Sequence, residues 1–346
     1  MNSPAPTPAT GTAQGATTSS AAASSSTATS STESSAATGP AAGRSASAPS
    51  GDFVSTYEDV TRVRIEDPGR FARLAAARRR RTVADTDGTM MIIAADHPAR
   101  GALGVGSRSQ AMASRTELLD RMREALAVPG VDGVLGTADI LEDLLVMGAL
   151  EDKVVFASMN RGGLQGGSWE IEDRFTAYDA ASIKAAGFDG GKMLTRIDLD
   201  DDRTSFMLEA SAHAITDLAR HELIAMVEPF LSSRPGGPGT KVVNDLSPEA
   251  VIRSIHIAQG LGATSAYTWL KLPAVQDMER VMDATTMPTL ILGGDPVDDD
   301  PAALRASWKR ALDRPNVRGL VVGRTLLYPA GDDVTAAVQA SVDMLR

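Results

Sequence analysis

Apolar and polar positions alternate between two regimes along most of this chain. Short runs rich in β-branched and other apolar residues occur at 90–95, 131–136, 153–159, 190–197, 223–230, 265–272, 289–293 and 319–323. Between them lie stretches in which apolar residues recur every three or four positions, at 115–127, 140–147, 180–186, 205–221, 248–260, 275–284, 302–312 and 333–345. The first pattern predicts buried strands and the second amphipathic helices. Helix starts carry fitting caps: Ser114, Ser247 followed by Pro248, and Asp300 followed by Pro301. Gly260 stands at the end of one helix, just ahead of the next strand. Strands joined through helices form a parallel sheet, because parallel neighbours need a crossover. Eight such units over about 290 residues predict a closed (β/α)8 TIM barrel. An open doubly wound sheet is the alternative, but no Gly-x-Gly-x-x-Gly follows the first strand. A further helix over 68–78 is expected to cover the bottom of the barrel.

The first 51 residues break this rhythm. They are almost wholly Ser, Ala, Thr, Pro and Gly, and Phe53 is the first aromatic residue. Such a segment cannot offset the entropy of ordering itself, so the expected organisation is a disordered tail over 1–51 and a barrel domain over 52–346. The start of the chain lacks the basic and apolar blocks of a secretory signal, and no apolar run approaches eighteen residues. Together with the absence of cysteine, this gives the expectation of a cytoplasmic protein that neither enters nor crosses a membrane.

Composition narrows the chemistry. Without cysteine there are no disulfides, thiolate nucleophiles or thiolate metal sites. A net charge of −10 argues against a nucleic-acid partner. The one basic block, Arg78 to Arg81, reads as a solvated helix end. Of four histidines, His213, His221 and His256 fall on predicted outer helices, so no metal site is expected; His97 alone falls at a strand end. Lysine occurs at only six positions, 153, 184, 192, 241, 271 and 309, in a chain of 34 basic residues. Arginine stays protonated and cannot act as an amine nucleophile, so a retained lysine at a strand end raises the question of amine chemistry.

Active sites of such barrels lie at the C-terminal ends of the strands. Those ends carry Asp96 and His97 on the first strand and Asn160-Arg161 on the third. The fourth carries Lys192, then Arg196 and Asp198, and the fifth Glu228. Lys271 ends the sixth, Gly293-Gly294-Asp295 the seventh, and Gly323-Arg324 the eighth. An unpaired charge at the tip of the apolar strand holding Lys271 is costly, which favours a neutral amine able to attack a carbonyl and form an iminium. The bland alternative is a structural lysine bound to Glu228. Lys192 reads either as a second cation that assists Lys271 or as the partner of Asp96 in a salt bridge, and the two are compatible. Asp96 and Glu228 serve equally as proton shuttles or as counter-ions. Gly293, Gly294 and Gly323 let backbone amides approach phosphate oxygens, with Arg324 adding a charge-assisted bond, although each glycine also fits a tight turn.

In joint order, several of these segments resemble the class I aldolase superfamily that includes deoxyribose-phosphate, tagatose-bisphosphate and archaeal-type fructose-bisphosphate aldolases. They are Ile-Ile-Ala-Ala-Asp-His ending at His97, Gly-Lys-Met-Leu-Thr-Arg-Ile-Asp around Lys192, and Met-Val-Glu-Pro-Phe around Glu228. Trp-Leu-Lys-Leu-Pro around Lys271 and Gly-Leu-Val-Val-Gly-Arg ending at Arg324 complete the set. The likeness spans roughly residues 85–330. It implies Lys271 as Schiff-base nucleophile, a polar network of Lys192, Asp96 and Glu228, and phosphate contacts from Gly294, Gly323 and Arg324. From their places at the strand ends, Gly293, His97 and Arg196 are further candidate substrate or phosphate contacts. The resemblance implies no cofactor and a phosphorylated sugar or keto-acid substrate; because barrels of this type often assemble, a homo-oligomer is also expected. The loops after Asp96-His97 and after the third strand depart from the family pattern. A similarity to an actinobacterial group tied to inositol breakdown suggests 2-deoxy-5-keto-gluconate 6-phosphate as substrate. A carboxylate-driven isomerase or epimerase, or a non-catalytic sugar-phosphate-binding barrel, remain alternatives.

Overall fold

The computed structural model describes residues 53–86, 88–237, 240–294 and 301–346. The 1–51 segment, Asp295 and the Asp300 cap lie outside the described residues. Among the described residues there are nine strands: β1 (Met90–Ala94), β2 (Gly133–Gly136), β3 (Val154–Ser158), β4 (Gly190–Ile197), β5 (Ile224–Ser233), β6 (Val243–Asn244), β7 (Thr268–Pro273), β8 (Thr289–Leu292) and β9 (Val317–Val322). Eight of them pair in parallel in the order β4-β3-β2-β1-β9-β8-β7-β5, and β4–β5 pairing closes the ring. This is the predicted TIM barrel, its eight staves on the eight predicted runs. The two-residue β6 instead folds back antiparallel onto the end of β5.

The crossover helices are α3 (Arg115–Ala127), α4 (Ala138–Val146), α5 (Ala180–Ala185), α6 (Thr204–Arg220), α7 (Pro248–Gln259), α8 (Met278–Met282) and α9 (Pro301–Leu312), and α11 (Val334–Val342) follows the last stave. Ser114 and Ser247 cap α3 and α7 through their hydroxyls, as the sequence led us to expect. Helix α8 is shorter than predicted because Asp277, at its start, adopts a left-handed backbone with φ 54°. Two helices were not foreseen: α1 (Tyr57–Glu66), which buries only Val60 and Val63, and the single turn α10 (Arg324–Leu327) directly after β9.

Strand alternation divides the core in two. Met91, Ile93 and Ala95 join the large layer between staves and helices, whereas Met90, Ile92, Ala94, Leu135, Val154, Phe156, Met226, Leu290 and Val321 fill the barrel's interior. Gly190 makes the fit possible. A Cβ there would lie 2.4 Å from the carbonyl oxygen of Ile224 and 3.0 Å from the ring of Phe156.

The bottom of the barrel differs from expectation. Helix α2 (Arg70–Ala77) packs against α4 in the outer layer, and Val83, in a short 3-10 turn, is what reaches the interior cluster. The arginine run is no solvated helix end. Arg78 is buried and donates to the carbonyls of Leu150, Lys153 and Gly187; Arg79 pairs with Asp152, Arg80 with Asp189 at 3.6 Å and Arg81 with Asp132 at 2.8 Å. Asp132 and Asp189 each also accept a backbone N–H from the neighbouring strand, at Met91 and Val155. The run is therefore a strap across the N-terminal ends of β2, β3 and β4. Arg78→Met leaves three inward carbonyls without a donor, so we expect a loss of about 2–3 kcal/mol in urea unfolding, against less than about 1 kcal/mol for the exposed Arg62→Met.

Candidate active site

The parity that fills the interior also delivers the polar cluster. On β1 the inward series Met90, Ile92, Ala94 continues to Asp96; on β5 Met226 leads to Glu228, on β7 Trp269 to Lys271, and on β3 Phe156 to Ser158. Lys192 of β4 stands in register with Ser158 and Met226. All four candidate catalytic residues thus converge at the C-terminal mouth, and each is at least nine-tenths buried.

Glu228 joins the two lysines. Its Oε1 accepts from Lys271 Nζ at 3.1 Å and its Oε2 pairs with Lys192 Nζ at 2.5 Å. Lys192 Nζ also donates to Asp96 Oδ2 at 3.1 Å. Asp96 takes a second cation, Arg161, whose Nη2 donates to the same oxygen and whose Nε donates to Ser158 Oγ at 2.8 Å. The result is a buried chain of ions: Lys271, Glu228, Lys192, Asp96, Arg161.

The remaining candidates surround this chain. Gly293 and Gly294 follow β8, and Gly323 follows β9 and opens α10, so the glycines expected to form a phosphate site lie at the ends of neighbouring staves. Close packing alone requires two of these glycines: a Cβ at Gly323 would lie 2.2 Å from the Ala94 carbonyl oxygen, and one at Gly293 2.5 Å from Val322. Gly294 has open space around it and a left-handed φ of 71°. Arg196, two inward positions beyond Lys192, donates to Glu170 Oε1 at 3.1 Å, so its charge is already engaged by the loop after β3. His213 lies on α6, His221 at its end and His256 on α7, away from the mouth. Among the described residues no group of three or more His, Cys, Asp and Glu could hold a metal ion, and no helix is long and apolar enough to cross a membrane.

The profile of the Cgl0159-like family matches residues 88–342, which take in all eight staves and every residue of the ion chain. The chain belongs to the Cgl0159-like family. Cgl0159 from Corynebacterium glutamicum (Brevibacterium flavum) is 53% identical, over 84% of this chain and 96% of that one, with a TM-score of 0.80. A Schiff-base-forming fructose-1,6-bisphosphate aldolase is similar at 21% identity, over 75% of this chain and 95% of that one, with a TM-score of 0.55. An archaeal fructose-1,6-bisphosphate aldolase, solved with its catalytic lysine bound to a carbinolamine intermediate, is similar at 19% identity, over 75% and 94%, with a TM-score of 0.55. At these identities the aldolases share the barrel fold. No curated protein matches the chain.

Electrostatics separate the members of the cluster in this Cgl0159-like barrel. Burial works against both carboxylates, but their cations win. Lys192 and Arg161 hold Asp96 well below the usual carboxylate range, and the two lysines bring Glu228 down to about 2. Lys192 is pushed the other way: burial, opposed by Asp96 and Glu228 and aided by Lys271 and Arg161, lowers its amine to about 8. Of these three groups it alone titrates near neutral pH.

His97 is also displaced. Burial of its Nδ1, 3.6 Å from Asp96, together with the nearby Arg324, Lys271 and Lys192, outweighs the Asp96 attraction and lowers it from 6.5 to about 3. The unfolded chain therefore binds a proton at His97 that the folded chain rejects. Stability from this group is full above pH 6.5 and falls as pH drops toward 3, at up to about 1.4 kcal/mol per pH unit. Glu228, lowered from 4.5 to about 2, adds a loss of the same sign as pH falls through that range. Urea midpoints measured from pH 7.5 to 4 should show the decline, and His97→Gln should flatten its upper part. An unchanged slope in the variant would remove His97 from the account.

Arg161 is the site residue the sequence reading missed. It was visible as a strand-end residue, yet arginine as a partner for Asp96 has no spacing signature. Its place is fixed by its neighbours. The Asn160 side chain exchanges two hydrogen bonds with the Leu194 backbone, at 2.6 and 2.9 Å, extending the β3–β4 ladder by one rung. Behind it, buried Arg100 pairs with buried Asp173 and donates to the Gly163 and Asn160 carbonyls, holding the loop after β3 against that after β1.

Proposed function

We propose that this Cgl0159-like protein is a class I, Schiff-base aldolase that cleaves or forms a carbon–carbon bond of a phosphorylated sugar or keto acid. The observation that carries the reading is the inward Lys271 at the barrel mouth, tied to Glu228 and one carboxylate away from a second lysine. In this reading the deprotonated Lys271 amine attacks the substrate carbonyl, forming a C–N bond while the carbonyl electrons move onto oxygen, which takes a proton. The carbinolamine then loses water to give an iminium. Deprotonation of the hydroxyl on the far carbon of the scissile bond lets its oxygen become an aldehyde, and the electrons of the broken C–C bond enter the iminium to give an enamine. Protonation and hydrolysis release the second product and the lysine.

Each supporting role follows from the cluster. Lys192 is the group suited to exchange protons near neutral pH, because Asp96 and Glu228 are held ionised by two cations each. Glu228 orients both amines. Gly294, Gly323 and Arg324 stand where a substrate phosphate would sit, and His97, neutral over the physiological range, is suited to a substrate hydroxyl. An isomerase that shuttles protons through the carboxylates fits less well, since both are depressed far below neutrality.

Incubation with a panel of phosphorylated ketoses and keto acids, including fructose 1,6-bisphosphate and 2-deoxy-5-keto-gluconate 6-phosphate, tests the reading. One member should release an aldehyde and a keto product, with full rate retained in EDTA. Ligand-induced stabilisation without turnover across the panel would point instead to a non-catalytic binding barrel.

A further inference from the structure

The ion chain poses a problem that a two-lysine site alone does not solve. If Lys192 gives up a proton during turnover, Asp96 would be left as a buried, unpaired carboxylate, which is costly. Arg161 changes that. Its guanidinium is buried at the end of β3, donates to Asp96 Oδ2, the same oxygen that Lys192 uses, and is braced by Ser158 Oγ at 2.8 Å. Unlike lysine it keeps its charge at any working pH.

We propose that Arg161 is a positioning residue that serves as the permanent counter-ion of Asp96, so that Lys192 can release and regain a proton while Asp96 stays paired. The inference rests on the aldolase reading and deepens it. In the balanced cycle, Lys192 gives one proton to the carbinolamine hydroxyl. The C–O bond breaks with its electrons leaving on water, and the nitrogen lone pair forms the C=N bond. Lys192 is then a neutral amine, and it recovers a proton from the substrate hydroxyl whose oxygen becomes the aldehyde. The charged groups facing Lys192 are Asp96 from β1, Glu228 from β5, Lys271 from β7 and Arg161 from β3; those facing Asp96 also include His97. Beyond Arg161 stand Arg100 and Asp173, which pair with one another.

The test is the pH dependence of kcat/KM for whichever substrate is cleaved, in wild type, Arg161→Gln and Arg161→Lys. Gln removes the charge but keeps polar contact with Asp96 and Ser158. Removing a like charge beside Lys192 should move the limb that reports its ionisation up by about one pH unit, and lower kcat by about 10- to 100-fold. Arg161→Lys should return the limb to within about 0.3 units of wild type. Borohydride should still trap substrate on Lys271 in all three proteins. A lower kcat with an unmoved limb in Arg161→Gln, or no change at all, overturns the inference, since a merely structural arginine gives that result. Should Arg161→Gln fail to fold, Arg161→Met is read for the same limb, with guanidinium added to the buffer as rescue; a limb that neither variant nor rescue moves has the same meaning. Failure of trapping in wild type would instead sink the aldolase reading, and this inference with it.

Discussion

Lys271→Arg should reduce carbon–carbon cleavage by about 10⁴-fold or more while leaving the fold intact. Arginine keeps a positive charge against Glu228, so the counter-ion that Lys271 now engages at 3.1 Å would still be paired. What it cannot do is present a lone pair to a carbonyl. A lysine whose work is structural would tolerate this exchange, as would one that only attracts a phosphate. The variant therefore separates charge from nucleophilicity. Steady-state cleavage rates with matched urea midpoints decide it: near-normal turnover in Lys271→Arg would favour the carboxylate isomerase or a simple binding role.

Asp96→Asn is the second large effect, and it falls on stability as well as rate. Lys192 would lose the partner that most supports its charge, so its amine should fall below its present value of about 8 and be largely neutral at pH 7.5. Arg161 has no such escape and would remain a buried cation whose counter-charge has been replaced by a neutral amide. Breaking a buried ion pair from one side costs about 3–5 kcal/mol, and loss of proton exchange at Lys192 should cost at least about 10²-fold in kcat. Pairing Asp96→Leu with Arg161→Met should recover much of the stability and none of the activity. Full wild-type stability in Asp96→Asn would mean that the Lys192–Asp96–Arg161 contacts contribute nothing of note.

The barrel was legible because its staves are buried on both sides and read as short apolar runs separated by helical spacing. The same two-residue period gave the site, for Asp96, Glu228 and Lys271 each continue an inward series that starts in the interior core. Two contacts raised for these residues are present: Lys271 pairs with Glu228, and Lys192 with Asp96. What the sequence concealed is long-range and polar. Arg161 meets Asp96 across 65 positions, and Arg78 meets Gly187 across 109, contacts that no local pattern encodes. The arginine run looked like a charged helix end because its aspartate partners, Asp132 and Asp189, are scattered at the feet of different strands. The partner of Arg196, a candidate substrate contact, was hidden for the same reason: Glu170 lies in the loop after β3. Helix α1 was missed because only two of its ten residues are buried.

The central claim is that the Lys271 amine bonds covalently to a carbonyl carbon during turnover. Borohydride reduction in the presence of a cleaved substrate, followed by intact-mass measurement and peptide mapping, tests it most directly. The account predicts one added substrate-derived mass per chain, located on the peptide containing Trp269 to Pro273 and absent from Lys271→Arg. An enzyme that turns over fully after borohydride treatment with substrate, or an adduct mapped to Lys192, would contradict it.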